Sequence, residues 1–384
     1  MRVRAANRKM NKIPVLLLLC ILVCGSTAAQ TDVARRAAGM EIGMNLSYLD
    51  NFWLGTREKH YSDFAKPSET AKREKMLADI AKAGFKTVRL PICFGAWASF
   101  QAPYHWENTE GLENADHFVQ WARQNNLNAI IDLHHTELDG KVDGAASTER
   151  IVWLWKQIAE RYKSTDPEHV FFEIRNEPHD IKSEDWRSQA EEIIKAIRSV
   201  DTKHTLIVGF HDWNSRQALV ESKPFDDANI IYTFHYYDPF VFTHQGATWT
   251  VKGMADTHPV PFPGSASDIK VAASAAGTWV ETQIASYGND SRAEKMFADL
   301  KAAKDWSEKN RVPIFLGEFG SYSKYPTMQD RCRHATAVYT ALGKLKIPNT
   351  WWEWDGGFNM FEPGTSKISS CMRQAIDSYY SGKN

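Results

Sequence analysis

The feature that most constrains this chain is an alternation of short, nearly continuous apolar runs with longer segments whose apolar positions have helical spacing. The runs are Gly43 to Leu46, Phe85 to Pro91, Leu127 to Leu133, His169 to Glu173, Thr205 to Val208, Asn229 to Phe234, Val312 to Leu316 and Asn349 to Trp354. Such lengths suit strands buried on both faces. Between and after them, Glu69 to Ala83, Leu112 to Asn125, Glu149 to Tyr162, Ser183 to Val200, Ser291 to Asn310, Met328 to Leu345 and Ile368 to Tyr379 read as helices. A connection long enough to hold a helix joins parallel strands. Eight such units predict an α/β fold, a single (β/α)8 TIM barrel with enlarged βα loops. An open doubly wound sheet is the rival. Against it, no glycine-rich phosphate turn follows the first run, and polar residues end nearly every strand instead of gathering at one crevice. Between Phe240 and Ser274 the periodicity vanishes, and a stretch of that length in a compact domain is expected to serve function.

The first residues have a different character. Arg2, Arg4, Arg8, Lys9 and Lys12 precede an apolar core, Ile13 to Val23, that is too short to span a bilayer, and Thr27-Ala28-Ala29 offers small residues for cleavage. Residues 1–29 are therefore expected to be a signal peptide, leaving 30–384 as one exported catalytic domain with an exposed, alanine-rich lead-in. Cys20 and Cys24 lie in that leader, and Cys93, Cys332 and Cys371 remain. Three cysteines are not a disulfide framework, yet Cys332 and Cys371 can pair if their segments are neighbours. A net charge of −1 over 384 residues leaves no excess for gripping nucleic acid or an anionic membrane. A monomer is expected, without a membrane span once the leader is removed. Several of the 14 Trp stand in polar, turn-like contexts. Flat apolar faces with polar rims suit sugar rings, so Trp53, Trp97, Trp213 and Trp249 are either sugar platforms or buried loop anchors.

In a parallel barrel the carboxyl ends of all strands converge on one face. There the sequence places Arg89, His134, Asn176, Glu177, His235, Tyr237, Glu318 and a tryptophan, Trp352 or Trp354. Arg89 lies inside an apolar run, where its charge requires a carboxylate or a network of acceptors. Glu177 ends the stretch Phe171-Phe172-Glu173-Ile174-Arg175-Asn176-Glu177-Pro178, which is either a strand-ending turn or a carboxyl group held for chemistry. A second strand-end carboxyl, Glu318, across the mouth from Glu177 would provide what glycoside hydrolysis needs: an acid to protonate the leaving oxygen, and a carboxylate to attack or to activate water. The pairs His134-His135 and His211-Asp212 lack a third ligand at metal spacing. No metal and no cofactor are expected.

Taken together and in order, Arg89, Asp132-Leu133-His134, Asn176-Glu177-Pro178, His235-Tyr236-Tyr237, Gly317-Glu318 and the Trp-rich eighth strand resemble glycoside hydrolase family 5, in clan A, from about Gly43 to Phe361. The resemblance implies a secreted retaining endo-β-1,4-glucanase acting on a β-linked polysaccharide by double displacement. Glu177 would be the acid/base and Glu318 the nucleophile, held ionised by Arg89 and Tyr237. Asn176 would meet the sugar 2-hydroxyl, with His134, His235 and a stacking Trp352 around the same subsite. Trp354 remains the alternative, since period-two alternation puts both on one face. Glu173, Glu353 and Asp355 read as structural. A β-mannanase or xyloglucanase of the same family, a catalytically silent polysaccharide-binding barrel, and a metal-dependent polysaccharide deacetylase are the competing readings.

Overall fold

The computed structural model describes residues 32–50, 67–107, 109–134 and 144–383. The expected leader, Trp53 and His135 lie outside the described residues. Eight parallel strands close into a barrel. They are β1 (Ile42–Asn45), β2 (Thr87–Ile92), β3 (Asn128–Leu133), β4 (Val170–Glu173), β5 (Thr205–Val208), β6 (Ile230–His235), β7 (Ile314–Glu318) and β8 (Asn349–Trp351). β8 pairs back onto β1 through Gly43 and Thr350. Every strand residue is buried, because one side faces the barrel interior and the other the surrounding helices. That is why the runs read as continuously apolar rather than alternating.

The interior begins as a dry plug. Ile130, Phe171, Ile207, Ile231 and Phe315 pack with Val33, Ala37 and Met40 as a cluster separate from the main core. The last three lie on a helix at residues 32–40, so the exposed lead-in expected from the sequence is not what forms. Positions 33, 37 and 40 share one helix face, and that face stoppers the amino end of the barrel. Thr87 Oγ1 and Asn128 Nδ2 at the starts of β2 and β3 donate to the carbonyls of Met40 and Gly39, at 2.6 and 3.1 Å. With this end closed, the carboxyl ends of the strands form the open mouth.

The helix predicted over Ser291–Asn310 forms as Ala293–Asn310, and a further helix, Trp279–Asp290, precedes it, capped by Thr278 Oγ1. The aperiodic stretch from Phe240 has only short turns at Phe240–Thr243 and Ala266–Asp268, yet Val241, Phe242, Met254, Val260 and Phe262 are buried. Gln245 takes over part of the missing backbone pairing, since its side chain both donates to and accepts from the Val260 peptide at 2.9 Å. Cys332 and Cys371 form a disulfide between the helices Met328–Leu345 and Ser370–Gly382. Among the described residues, no helix is long and apolar enough to cross a membrane.

The β6–β7 pairing carries an irregularity that positions the mouth. Phe234 pairs with Leu316, but the next residue, His235, pairs with Glu318, so Gly317 is extra. Phe315 faces the interior plug, and strict alternation would then send position 317 inward and Glu318 outward toward the helices. The bulge at Gly317 reverses that parity and aims Glu318 into the mouth beside His235.

Candidate active site

Arg89 is the hub. It points inward from β2, is 0% exposed, and commits its guanidinium to a fan of hydrogen bonds. Nε and Nη2 grip Glu173 of β4 at 2.7 and 2.9 Å, Nη1 reaches Asn45 of β1 at 3.0 Å and Glu318 of β7 at 2.7 Å, and Nη2 reaches Asn176 at 2.8 Å. Asp132 of β3 adds an ion pair at 3.0 Å. Burial works against the Arg89 charge, but Asp132, Glu173 and Glu318 outweigh it and hold the pKa well above the ordinary value. Arg89 thus has the acceptors that its place in an apolar run demands. One buried cation in this pocket serves three buried carboxyl groups, and burial raises the pKa of both Glu173 and Glu318.

Glu318 lies at the inner wall of that pocket, 4% exposed. Its Oε1 accepts from Arg89 and its Oε2 from the Tyr237 hydroxyl at 2.9 Å. Burial nevertheless pushes the carboxyl up to about 7, with His235, Arg89 and Tyr237 pulling it back and Glu177 adding to the rise. The expectation of a carboxylate held firmly ionised therefore needs correcting, because dehydration offsets much of what the two donors supply. Glu177 is half-buried, in the bend after β4, with φ of +40°. A non-glycine residue costs about 1–3 kcal/mol in such a conformation and keeps it only where the surroundings dictate it. His235 Nδ1 sits between the two acids, 2.6 Å from Glu177 Oε1 and 3.6 Å from Glu318 Oε2. Burial lowers its pKa to about 4, so the ring is neutral near pH 7. One ligand atom from each of Glu177, His235 and Glu318 falls within 4.8 Å of the others. Like charges this close disfavour each other, which is how Glu177 adds to the rise at Glu318. Arg89 and Tyr237 both donate to Glu318, which works against that rise.

The remaining wall comes from β3 and β8. Asp132 accepts from His134 Nδ1 at 2.6 Å, and the His134 ring stacks on Trp352 with centroids 5.5 Å apart and planes 9° apart. Asn176 Nδ2 stands 3.5 Å from His134 Nε2. Trp354 is elsewhere, buried edge-on against Phe85 and Phe361. The two tryptophans do not share a face, because β8 stops at Trp351 and the alternation ends with it. Arg89, His134, Asn176, Glu177, His235, Tyr237, Glu318 and Trp352 are accordingly brought together. Glu173 and Glu353 are buried and bonded, the latter to the Ser47 hydroxyl. Sequence reasoning missed Asn45 as a partner in the site and named Asp132 only within a motif. Both are polar residues in apolar strands with the inward parity of Arg89, a signal that was within reach. Of the candidate platforms, Trp97 is fully buried, while Trp213 and Trp249 are half or more exposed.

Known proteins resemble this chain in sequence and in fold. The family model Cellulase (glycosyl hydrolase family 5) matches residues 46–357. Endoglucanase 3 of Fibrobacter succinogenes is 31% identical over 333 residues, which are 81% of this chain and 49% of that protein. This chain thus spans about half the length of that relative. Endoglucanase C of Acetivibrio thermocellus is 32% identical over 284 residues, 72% of this chain and 82% of that protein. The crystal structure of endoglucanase Cel5A from Thermotoga maritima superposes with a TM-score of 0.72 at 28% identity, covering 90% of this chain and 99% of that one. A structure of that enzyme in complex with mannotriose substrate is equally similar, with a TM-score of 0.71 at 29% identity over 89% of this chain and 99% of that one.

Proposed function

The chain belongs to glycosyl hydrolase family 5, and from that premise and the mouth geometry we propose that it is a retaining endo-β-1,4-glucanase. The observation that carries the reading is the placement of carboxyl oxygens of Glu177 and Glu318 within 4.8 Å of each other. Retaining glycosidases bring their carboxyl groups to about 5–5.5 Å, whereas inverting ones leave roughly 6.5–9.5 Å for a water molecule.

In this mechanism Glu177 protonates the glycosidic oxygen while Glu318 attacks the anomeric carbon. The C–O bond to the leaving group breaks, the bond to Glu318 forms, and Glu177 is left ionised. Glu177 then takes a proton from water as its oxygen displaces Glu318, which restores both groups. The ionised Glu318 carboxylate complements the cationic sugar of the transition state. Asn176 contacts the 2-hydroxyl, and its orientation is set by Arg89. Trp352, backed by His134, offers its ring to the apolar face of the sugar.

The substrate is a β-linked polysaccharide. Mannan is the second reading, favoured by the mannotriose bound to the Thermotoga relative. The protein acts outside the cytoplasm after removal of residues 1–29, and it works as a monomer without metal or cofactor. The Cys332–Cys371 bond supports an oxidising compartment. The test is hydrolysis of soluble β-glucan and of mannan by the wild type, Glu177→Gln and Glu318→Gln. Each variant is expected to abolish release of reducing ends, and substantial residual turnover by either would overturn the assignment.

A further inference from the structure

The acid is carried by a peptide that local preferences would not choose. Glu177 has φ of +40° and precedes Pro178, two conditions that each narrow what a non-glycine residue can adopt. Such a backbone persists only where neighbouring groups dictate it. At its tip the Glu177 side chain is restrained by His235 Nδ1, 2.6 Å from Oε1. At the backbone end three contacts act together. His179 Nδ1 lies 2.8 Å from the Glu177 carbonyl, and the Trp213 peptide N–H donates to the Pro178 carbonyl at 3.2 Å. The rings of His179 and Trp213 stack, with centroids 5.2 Å apart and planes 6° apart. The turn after β5 that supplies Trp213 is itself unusual, since Asp212, Trp213 and Asn214 have φ of 60°, 56° and 53° in succession. Two left-handed turns are therefore fastened to each other beside the acid.

We propose that His179 is a positioning residue: its Nδ1–H, with the ring backed by Trp213, pins the Glu177 carbonyl and so holds the acid where its carboxyl group meets the glycosidic oxygen. The direction of this hydrogen bond is fixed, because a carbonyl oxygen can only accept. Nδ1 must therefore carry the proton. The direction of the Glu177 carbonyl is set by ψ, one of the two soft rotations at the carbon that bears the side chain. An anchor on that oxygen stops the rotation. A shift of about 1 Å at a reacting group can cost about 100-fold in rate, and Glu177 must serve twice, as acid and then as base. Glu318 has its own donors in Arg89 and Tyr237. Loss of the His179 donor is therefore expected to fall on proton transfer and to spare the nucleophile.

This inference rests on the assignment of Glu177 as the acid, and the test separates the two. His179→Phe keeps a ring for Trp213 and removes the donor, while His179→Asn restores an N–H at the same number of bonds from the backbone. The first readout is the ratio of kcat/KM on phenyl cellobioside, whose leaving group needs a proton, to that on dinitrophenyl cellobioside, whose leaving group does not. A loss of folded enzyme lowers both rates alike and leaves the ratio unmoved. His179→Phe is expected to lower the ratio about tenfold, within what general acids contribute, and His179→Asn to bring it back within about threefold of wild type. The second readout is the nitrogen NMR signature of His179 at pH 8, above the ordinary histidine range, which does not depend on cleavage: the proton is expected on Nδ1. An unchanged ratio in His179→Phe, a His179→Asn variant no better than His179→Phe, or a wild-type proton on Nε2 would overturn the proposal alone. A wild type that cleaves neither glycoside nor soluble β-glucan would overturn the function, and the positioning role with it.

Discussion

Replacing Glu318 with glutamine is predicted to stabilise the protein above neutral pH while removing its activity. Glu318 titrates at about 7 in the folded chain because burial disfavours its charge, whereas an unfolded glutamate titrates near ~4.3. The folded state therefore holds this proton more tightly than the unfolded one. Below pH ~4 both states are protonated and Glu318 carries no penalty. As pH rises from there toward 7 the unfolded chain ionises first, so stability falls, and above 7 the penalty is complete. At roughly 1.4 kcal/mol per pH unit the ceiling is ~4 kcal/mol. The substituted side chain would keep an oxygen for Arg89 but would turn an amide toward Tyr237, so a net gain of ~1–3 kcal/mol is expected. Urea unfolding of wild type and Glu318→Gln at pH 4 and pH 8 measures it. The variant should be no more stable than the wild type at pH 4 and should exceed it at pH 8. A variant that is less stable at pH 8, or a gap that does not grow with pH, would refute the argument that the protein bears a standing electrostatic cost at this residue.

Three further outcomes follow from the same contacts. Arg89→Met strands Asp132, Glu173 and Glu318 without their cation and should cost ~3–5 kcal/mol at pH 7; the loss should shrink at pH 5, where Glu173 and Glu318, both raised by burial, take up protons more readily, as read by chemical denaturation at each pH. Trp352→Ala removes the ring that His134 backs and should lower kcat/KM by about 10–100-fold, mainly through KM, if the stacking acts on bound sugar in ground and transition states alike. Cys332→Ser with Cys371→Ser opens a link across 39 residues of sequence and should lower stability by ~2–4 kcal/mol, with activity at 25 °C unchanged because both cysteines lie on the outer helices.

Much of this was legible in the residues because the relevant physics is local. Continuous apolar runs alternating with amphipathic segments leave few folds open, and barrel closure then brings Arg89, Asn176 and Glu318 together from three strands. What escaped was information carried by pairing rather than composition. The parity of Phe315 would have sent Glu318 outward, and only the extra residue at Gly317 corrects it. Similarly, Trp352 and Trp354 looked equivalent until β8 was seen to end at Trp351. The segment 32–40 read as a solvated lead-in because alanine dominates it, although Val33, Ala37 and Met40 form the stripe that seals the barrel. The Glu318 charge was judged from its donors alone, and its dehydration depends on a burial that no single segment reveals.

The central claim is that Glu177 and Glu318 act as a closely spaced acid and nucleophile, and the stereochemistry of the first-formed product tests it most directly. Proton NMR during the first minutes of hydrolysis of a β-linked cello-oligosaccharide should show the new reducing end appearing as the β-anomer, with the α-anomer growing only as mutarotation proceeds. Initial appearance of the α-anomer would mean inversion, and would contradict a mechanism built on carboxyl oxygens within 4.8 Å of one another.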